Sequence, residues 1–204
     1  MSEIGLGRYT PDFDVLRSKE EWDKETRDVV MSRTSTPPPA LTLRQHEVDT
    51  LTAIASVLLG DNRTSILQFV MDHFDKKMRS NIGESQRKRG IPPFPLLIHK
   101  GIDTFNELSV SVHGQEFSAL DTQTRWNFIS SLISNPVPFE IAELHIQSKD
   151  FLSSIHTEAV NAYFSHPIVW SEIGYAGPAY PRGYVRIERG LLDPWEAKSR
   201  YENN

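Results

Sequence analysis

The sequence has 204 residues, a net charge of −5, 38% hydrophobic and 24% charged residues, and no cysteine. That length fits one ordinary domain with an arm or two, the composition excludes wholesale disorder, and the net charge argues against general nucleic-acid binding. The lack of cysteine excludes disulfides, thiolate zinc sites, cysteine-held iron–sulfur clusters and a cysteine nucleophile.

No run approaches the roughly eighteen apolar residues that span a bilayer. The opening residues, MSEIGLGRYTPDFDVLRSKEEW, lack a basic stretch followed by an apolar one, and they lack a twin-arginine pair. The expected location is cytoplasmic, or periplasmic only through co-export with a partner.

Residues 1–40 read as a polar N-terminal arm ending in Pro37-Pro38-Pro39, a run that favours a stiff extended segment. Ser18 and Glu21 have capping-box spacing, which predicts a short helix over Glu20–Met31 carrying Trp22. A helical domain over 41–165 follows. Thr42 and Gln45 form a second capping pair, and Val48, Leu51, Ile54, Ala55 and Leu58 then recur at helical spacing up to Gly60. The next helix runs over Ser65–Arg79, with Ile66, Phe69, Val70, Phe74 and Met78 inward and Asp72, Asp75, Lys76 and Lys77 outward.

Gly83, Gly90, Pro92, Pro93, Pro95 and Gly101 predict a loop over 81–101. Residues 76–100 hold seven Lys or Arg against one acid, Glu84. Such a cluster is either a solvated loop or a patch for an anionic partner.

Further helices are expected over Asp103–His113 and over Asp121–Ser134, the latter with Trp126, Ile129, Leu132 and Ile133 inward. Residues Phe139–Phe164 read as one long helix or as two broken near 147–150, closed by Pro167. The fold class is all-α: a five- to six-helix domain, with no repeat and no sustained strand alternation.

Catalytic signatures are missing. No Glu precedes a His by three residues, and there is no HExxH, no phosphate loop and no GxSxG. Gly5-Leu6-Gly7 lacks the third glycine of a dinucleotide fingerprint. His145 and His156, read as eleven positions apart on one helix, are separated by roughly 16 Å and cannot share an ion. His113-Gly114 reads as a helix-end cation followed by a stop residue. No metal or cofactor site is expected in this chain.

Residues 166–204 form an irregular C-terminal segment. Its first 21 residues hold three Gly, three Pro and three Tyr, which argues against a helix or a central strand. Yet Trp170, Ile173 and the tyrosines are too apolar for a free tail. Tyr, Trp and Arg are interface residues, so Trp22, Trp170, Tyr175, Tyr180, Arg182 and Tyr184 are the candidate partner contacts; packing on the chain's own helices is the competing reading.

The run YFSHPIVWSEIGYAGPAYPRGYVR resembles the C-terminal end of the gluconate 2-dehydrogenase subunit 3 family. The helix at Leu43–Leu59, the Val70-Met71-Asp72 element, the Gly101-Ile102-Asp103 start and the run from His113 to Leu120 fall in the family's order, as does Trp22-Asp23…Thr26-Arg27 of longer members. The resemblance implies a small, non-catalytic subunit of a sugar or sugar-acid dehydrogenase. Its large glucose–methanol–choline type partner would carry FAD, and some complexes add a cytochrome c subunit. The small subunit would support stability, flavin loading or export of the large one. In several relatives a twin-arginine signal does the exporting, which this sequence lacks.

Two other readings stay open. One is a stand-alone helical enzyme with His113, His145 or His156 as base. The other is a scaffold that binds an anionic partner through the 76–100 cluster.

Overall fold

A computed structural model describes residues 12–35, 42–80, 89–141, 143–183, 185–186 and 191–198. The chain divides into two compact units. One is the continuous stretch Pro37–Tyr163; the other joins Met1–Thr36 to Phe164–Asn204. Arm and tail, which the sequence suggests as separate appendages, thus form one body.

The continuous unit is helical apart from one hairpin. It contains α2 (Gln45–Leu59), α3 (Thr64–Arg79), α4 (Phe94–His113), α5 (Thr122–Ser134), β1 (Pro138–Ile141), β2 (Leu144–Gln147) and α6 (Ser148–Tyr163). The other unit holds a 3₁₀ turn over Val15–Glu21, α1 (Lys24–Ser32) and α7 (Pro167–Ile173).

The core of the continuous unit centres on Phe105 of α4. Its ring lies 4.9 Å from Phe117, 5.3 Å from Phe128 of α5 and 5.9 Å from Phe151 of α6, and Phe139 of β1 adds a 5.5 Å contact to Phe151. Such tilted and edge-on pairs contribute roughly 1 kcal/mol each beyond their buried area. α4 reaches Phe151 because Gly101 carries no side chain: a Cβ there would sit 2.3 Å from the ring.

Several expectations from sequence change. α4 begins nine residues before Asp103, because Pro93 caps it and Pro95 falls in its first turn, where a missing N–H costs nothing. Gly101 is a packing glycine within α4, not a breaker. The long helix expected from Phe139 is instead an antiparallel hairpin, Phe139 opposite Ile146, followed by α6.

Phe139, Ile141 and Ile146 turn inward, a period-two pattern too short to stand out beside the helical reading. Ser148 joins the hairpin to the helices: its hydroxyl donates to the Leu132 carbonyl at 3.0 Å and accepts from the Val137 amide at 3.1 Å.

On α5, Ile129 and Leu132 are buried as expected, but Trp126 and Ile133 are exposed, and Phe128 takes the inward place. Asp72 and Asp75 of α3 are buried, not outward. Asp75 accepts from the amide and hydroxyl of Thr42, both at 2.7 Å, so Thr42 does not cap α2. That end is closed by Glu47, whose carboxylate accepts from the Arg44 amide at 2.7 Å.

In the arm, Ser18 lies in the 3₁₀ turn, and Asp23 starts α1 by accepting from the Thr26 amide at 2.8 Å. Pro167 does not close a helix but opens α7 as its first residue, so the tail expected to be irregular begins with about two helical turns.

Gly101→Ala tests the core. The clash costs about 1–3 kcal/mol and alanine's better helix propensity returns about 1 kcal/mol, so urea unfolding should show a net loss of up to about 2 kcal/mol. Gly101→Ala/Phe151→Leu should lose less than the two single variants summed; strict additivity would contradict the close-approach account.

Candidate partner interface

In the unit built from arm and tail, Trp22 follows the 3₁₀ turn and is 3% exposed. Its indole N–H donates to the Pro178 carbonyl at 3.1 Å, across 156 residues of sequence. Gly177 makes this possible: at φ +79° it suits glycine, and a Cβ would lie 2.8 Å from the Trp22 ring and 3.0 Å from Val15. The Val15 amide donates to the Ser171 hydroxyl at 3.1 Å.

Trp170 of α7 is 6% exposed, and its indole donates to the Phe164 carbonyl at 2.6 Å. The Arg33 guanidinium lies 5.5 Å from the Trp170 ring and donates to the Ser165 carbonyl at 2.9 Å.

Arg182 is held on several sides. Its side chain is 6% exposed and faces the rings of Trp22 at 5.8 Å and Trp195 at 4.9 Å. It donates to Glu21 at 3.1 Å and to the Ala176 carbonyl at 2.5 Å. Cation–π contacts of such desolvated guanidinia are worth about 2 kcal/mol.

The six candidate contacts therefore separate. Trp22, Trp170 and Arg182 form the interior of this unit. Tyr175 packs edge-on to Trp170 at 5.3 Å while remaining 42% exposed, and Tyr180 is 68% exposed. Tyr184 lies outside the described residues. Around the two exposed tyrosines, Phe164, Ile168 and Ile173 are also exposed. Glu172 is the one charged side chain between 164 and 181. Aromatic and aliphatic side chains without charge make up the centre of a protein interface. Sequence reasoning missed Arg33, Gly177 and Trp195; glycine spacing alone does not reveal an indole resting on it.

The histidines do not assemble into one site. His113 ends α4 and packs edge-on against Phe128 at 5.3 Å. His145 lies on β2, not on the helix of His156, and faces Glu140 across the hairpin at 3.8 Å. His156 is exposed on α6.

Among the described residues, His46, Glu47 and Asp103 bring possible metal-ligand atoms within 4.8 Å of one another. The Arg44 guanidinium already serves as the cation there, 2.6 Å from Glu47 and 2.9 Å from Asp103. Burial raises the pKa of the Glu47 carboxyl, but hydrogen bonds from Arg44 and His99 outweigh it and hold the group at about 2.

The basic run is locally paired. Lys76 meets Asp72 at 2.6 Å, Lys77 meets Glu158 at 3.1 Å, Arg79 meets Asp75 and Lys100 approaches Asp103 at 3.9 Å. Arg87 and Lys88 fall outside the described residues.

Residues 45–177 match the family described as Gluconate 2-dehydrogenase subunit 3. The chain belongs to this family. As a subunit 3 protein it is a small subunit of a multi-subunit dehydrogenase, which agrees with an accessory role. The match opens on the first residue of α2 and closes on Gly177, the residue beneath Trp22. No curated protein and no solved structure matches the chain.

Two expectations follow. Trp22→Phe keeps the ring but leaves the Pro178 carbonyl unmet, so it should cost about 1 kcal/mol and speed proteolysis of the tail; an unchanged cleavage rate would deny the contact. Glu47, depressed when folded, adds stability that is present above its unfolded value of 4.5 and is lost as pH falls towards 2. Urea unfolding from pH 5 to pH 2 should show a loss of up to about 3 kcal/mol that Glu47→Gln flattens.

Proposed function

We propose that this subunit 3 protein is the non-catalytic partner of a large FAD-dependent dehydrogenase of the glucose–methanol–choline type. The large chain binds the flavin, oxidises a sugar or sugar acid and, in some assemblies, passes electrons to a cytochrome c subunit. The small chain stabilises it and assists flavin loading or export. Where the complex resides follows from the large chain.

Family membership over 45–177 carries the reading. The exposed aromatic and aliphatic side chains along 164–180, Tyr175 and Tyr180 among them, support it, because burying such apolar area against a partner is favourable and the stretch carries one charge, Glu172. The buried Trp22–Gly177–Arg182 core supports it indirectly, by fixing the backbone on which both tyrosines stand.

Co-expression with the adjacent flavoprotein gene provides the test. Wild-type chain should co-purify with that flavoprotein at constant stoichiometry and raise its flavin content. Tyr175→Ser/Tyr180→Ser should weaken association by at least about tenfold, a hot-spot-sized loss, with circular dichroism unchanged. Truncation after residue 165 should abolish it. Unaltered co-purification and flavin content in both variants would contradict the proposal.

A further inference from the structure

The continuous unit carries a cleft of about 560 Å³ on the side of α2, bordered by the α2–α3 connection, the turn after α4 and α5. Its rim has two charges of opposite sign, Asp49 and Arg125. They form no ion pair with each other, although both border one cleft. Thr52, Asn62 and Ser118 also line it, and their side chains make no hydrogen bond among the described residues; Leu67 and Ala53 add apolar lining.

Arg125 is held in place by several contacts, and Asp49 has one local partner. Arg125 donates through Nε to the Phe117 carbonyl at 3.2 Å and through one terminal nitrogen to the Ser118 carbonyl, and its plane lies 5.9 Å from the Phe117 ring. Its other terminal nitrogen makes no bond within the described residues. Asp49 accepts from the Gln45 amide on one oxygen at 2.8 Å, leaving the second oxygen. The positioned Arg125 donor lowers the ordering cost of binding a ligand carboxylate, and Asp49 adds an acceptor on the exposed side of α2.

We propose that this cleft binds a small zwitterion of the amino-acid class. The ligand's ammonium donates to the free Asp49 oxygen, its carboxylate accepts from Arg125, and an aliphatic side chain rests on Leu67. A lone anion or cation would satisfy one wall and leave the other charge solvated. A neutral polyol would meet the hydroxyls without using either charge. The inference concerns the continuous unit alone and stands independently of the subunit reading.

The test is a titration of the full ¹⁵N-labelled chain with L-valine, acetate, methylammonium and glycerol in turn, followed by amide shifts at Thr52, Ser118 and Arg125. L-Valine should give saturable shifts, with each other probe at least about tenfold weaker. Asp49→Asn, a change at an exposed position that leaves the core intact, should weaken L-valine binding by about tenfold and remove its preference over acetate. Absence of saturation, equal response to glycerol or acetate, or full binding by Asp49→Asn would overturn the proposal.

Discussion

The indole of Trp22 occupies the space that a side chain at 177 would fill, and the tail's structure depends on that substitution of ring for side chain. Three links converge there: the indole N–H on Pro178, Val15 on Ser171, and Arg182 packed against the Trp22 ring. Each spans about three-quarters of the chain in sequence. The loop-closure entropy of such distant contacts grows only slowly with length, so a few well-packed groups can hold the two ends together. Without the arm, the glycines and prolines of the tail would have no surface to lie on.

The same packing sorts the tail's aromatic residues by role. Trp22, Trp170 and Arg182 are used up inside the unit, and Tyr175 and Tyr180 are what remains outward. Such a division suits the docking role proposed above: the interior fixes the backbone, and rigid side chains of this kind lose little entropy when covered. The continuous unit contributes a phenylalanine-centred core and several ion pairs, and His113, His145 and His156 stand on three different elements.

Much of this was legible in the residues. The helical period of α2, α3 and α5, the stops at Gly60 and Gly114 and the cap at Asp121 follow local rules, and the structure keeps them. The failures share a cause. Pro95 and Gly101 look like breakers in sequence because local propensity ignores position in the helix and the needs of Phe151. The hairpin carries a helical signal because Ile141 and Leu144 stand three apart, whereas the alternating pair Phe139 and Ile141 is too short to outweigh it. Asp75 was placed outward because its burial depends on Thr42 and Arg79, which the α3 pattern alone does not reveal. For the tail, composition points to an aromatic, surface-seeking segment, but which aromatic faces inward is decided by a contact across 156 residues.

The most direct measurement places a photoreactive benzoylphenylalanine at position 180, or at position 126 on exposed α5, in the co-expressed complex. The account predicts a cross-link from position 180 to the flavin-bearing chain. Cross-linking from 126 alone, or only between copies of this chain, would contradict it.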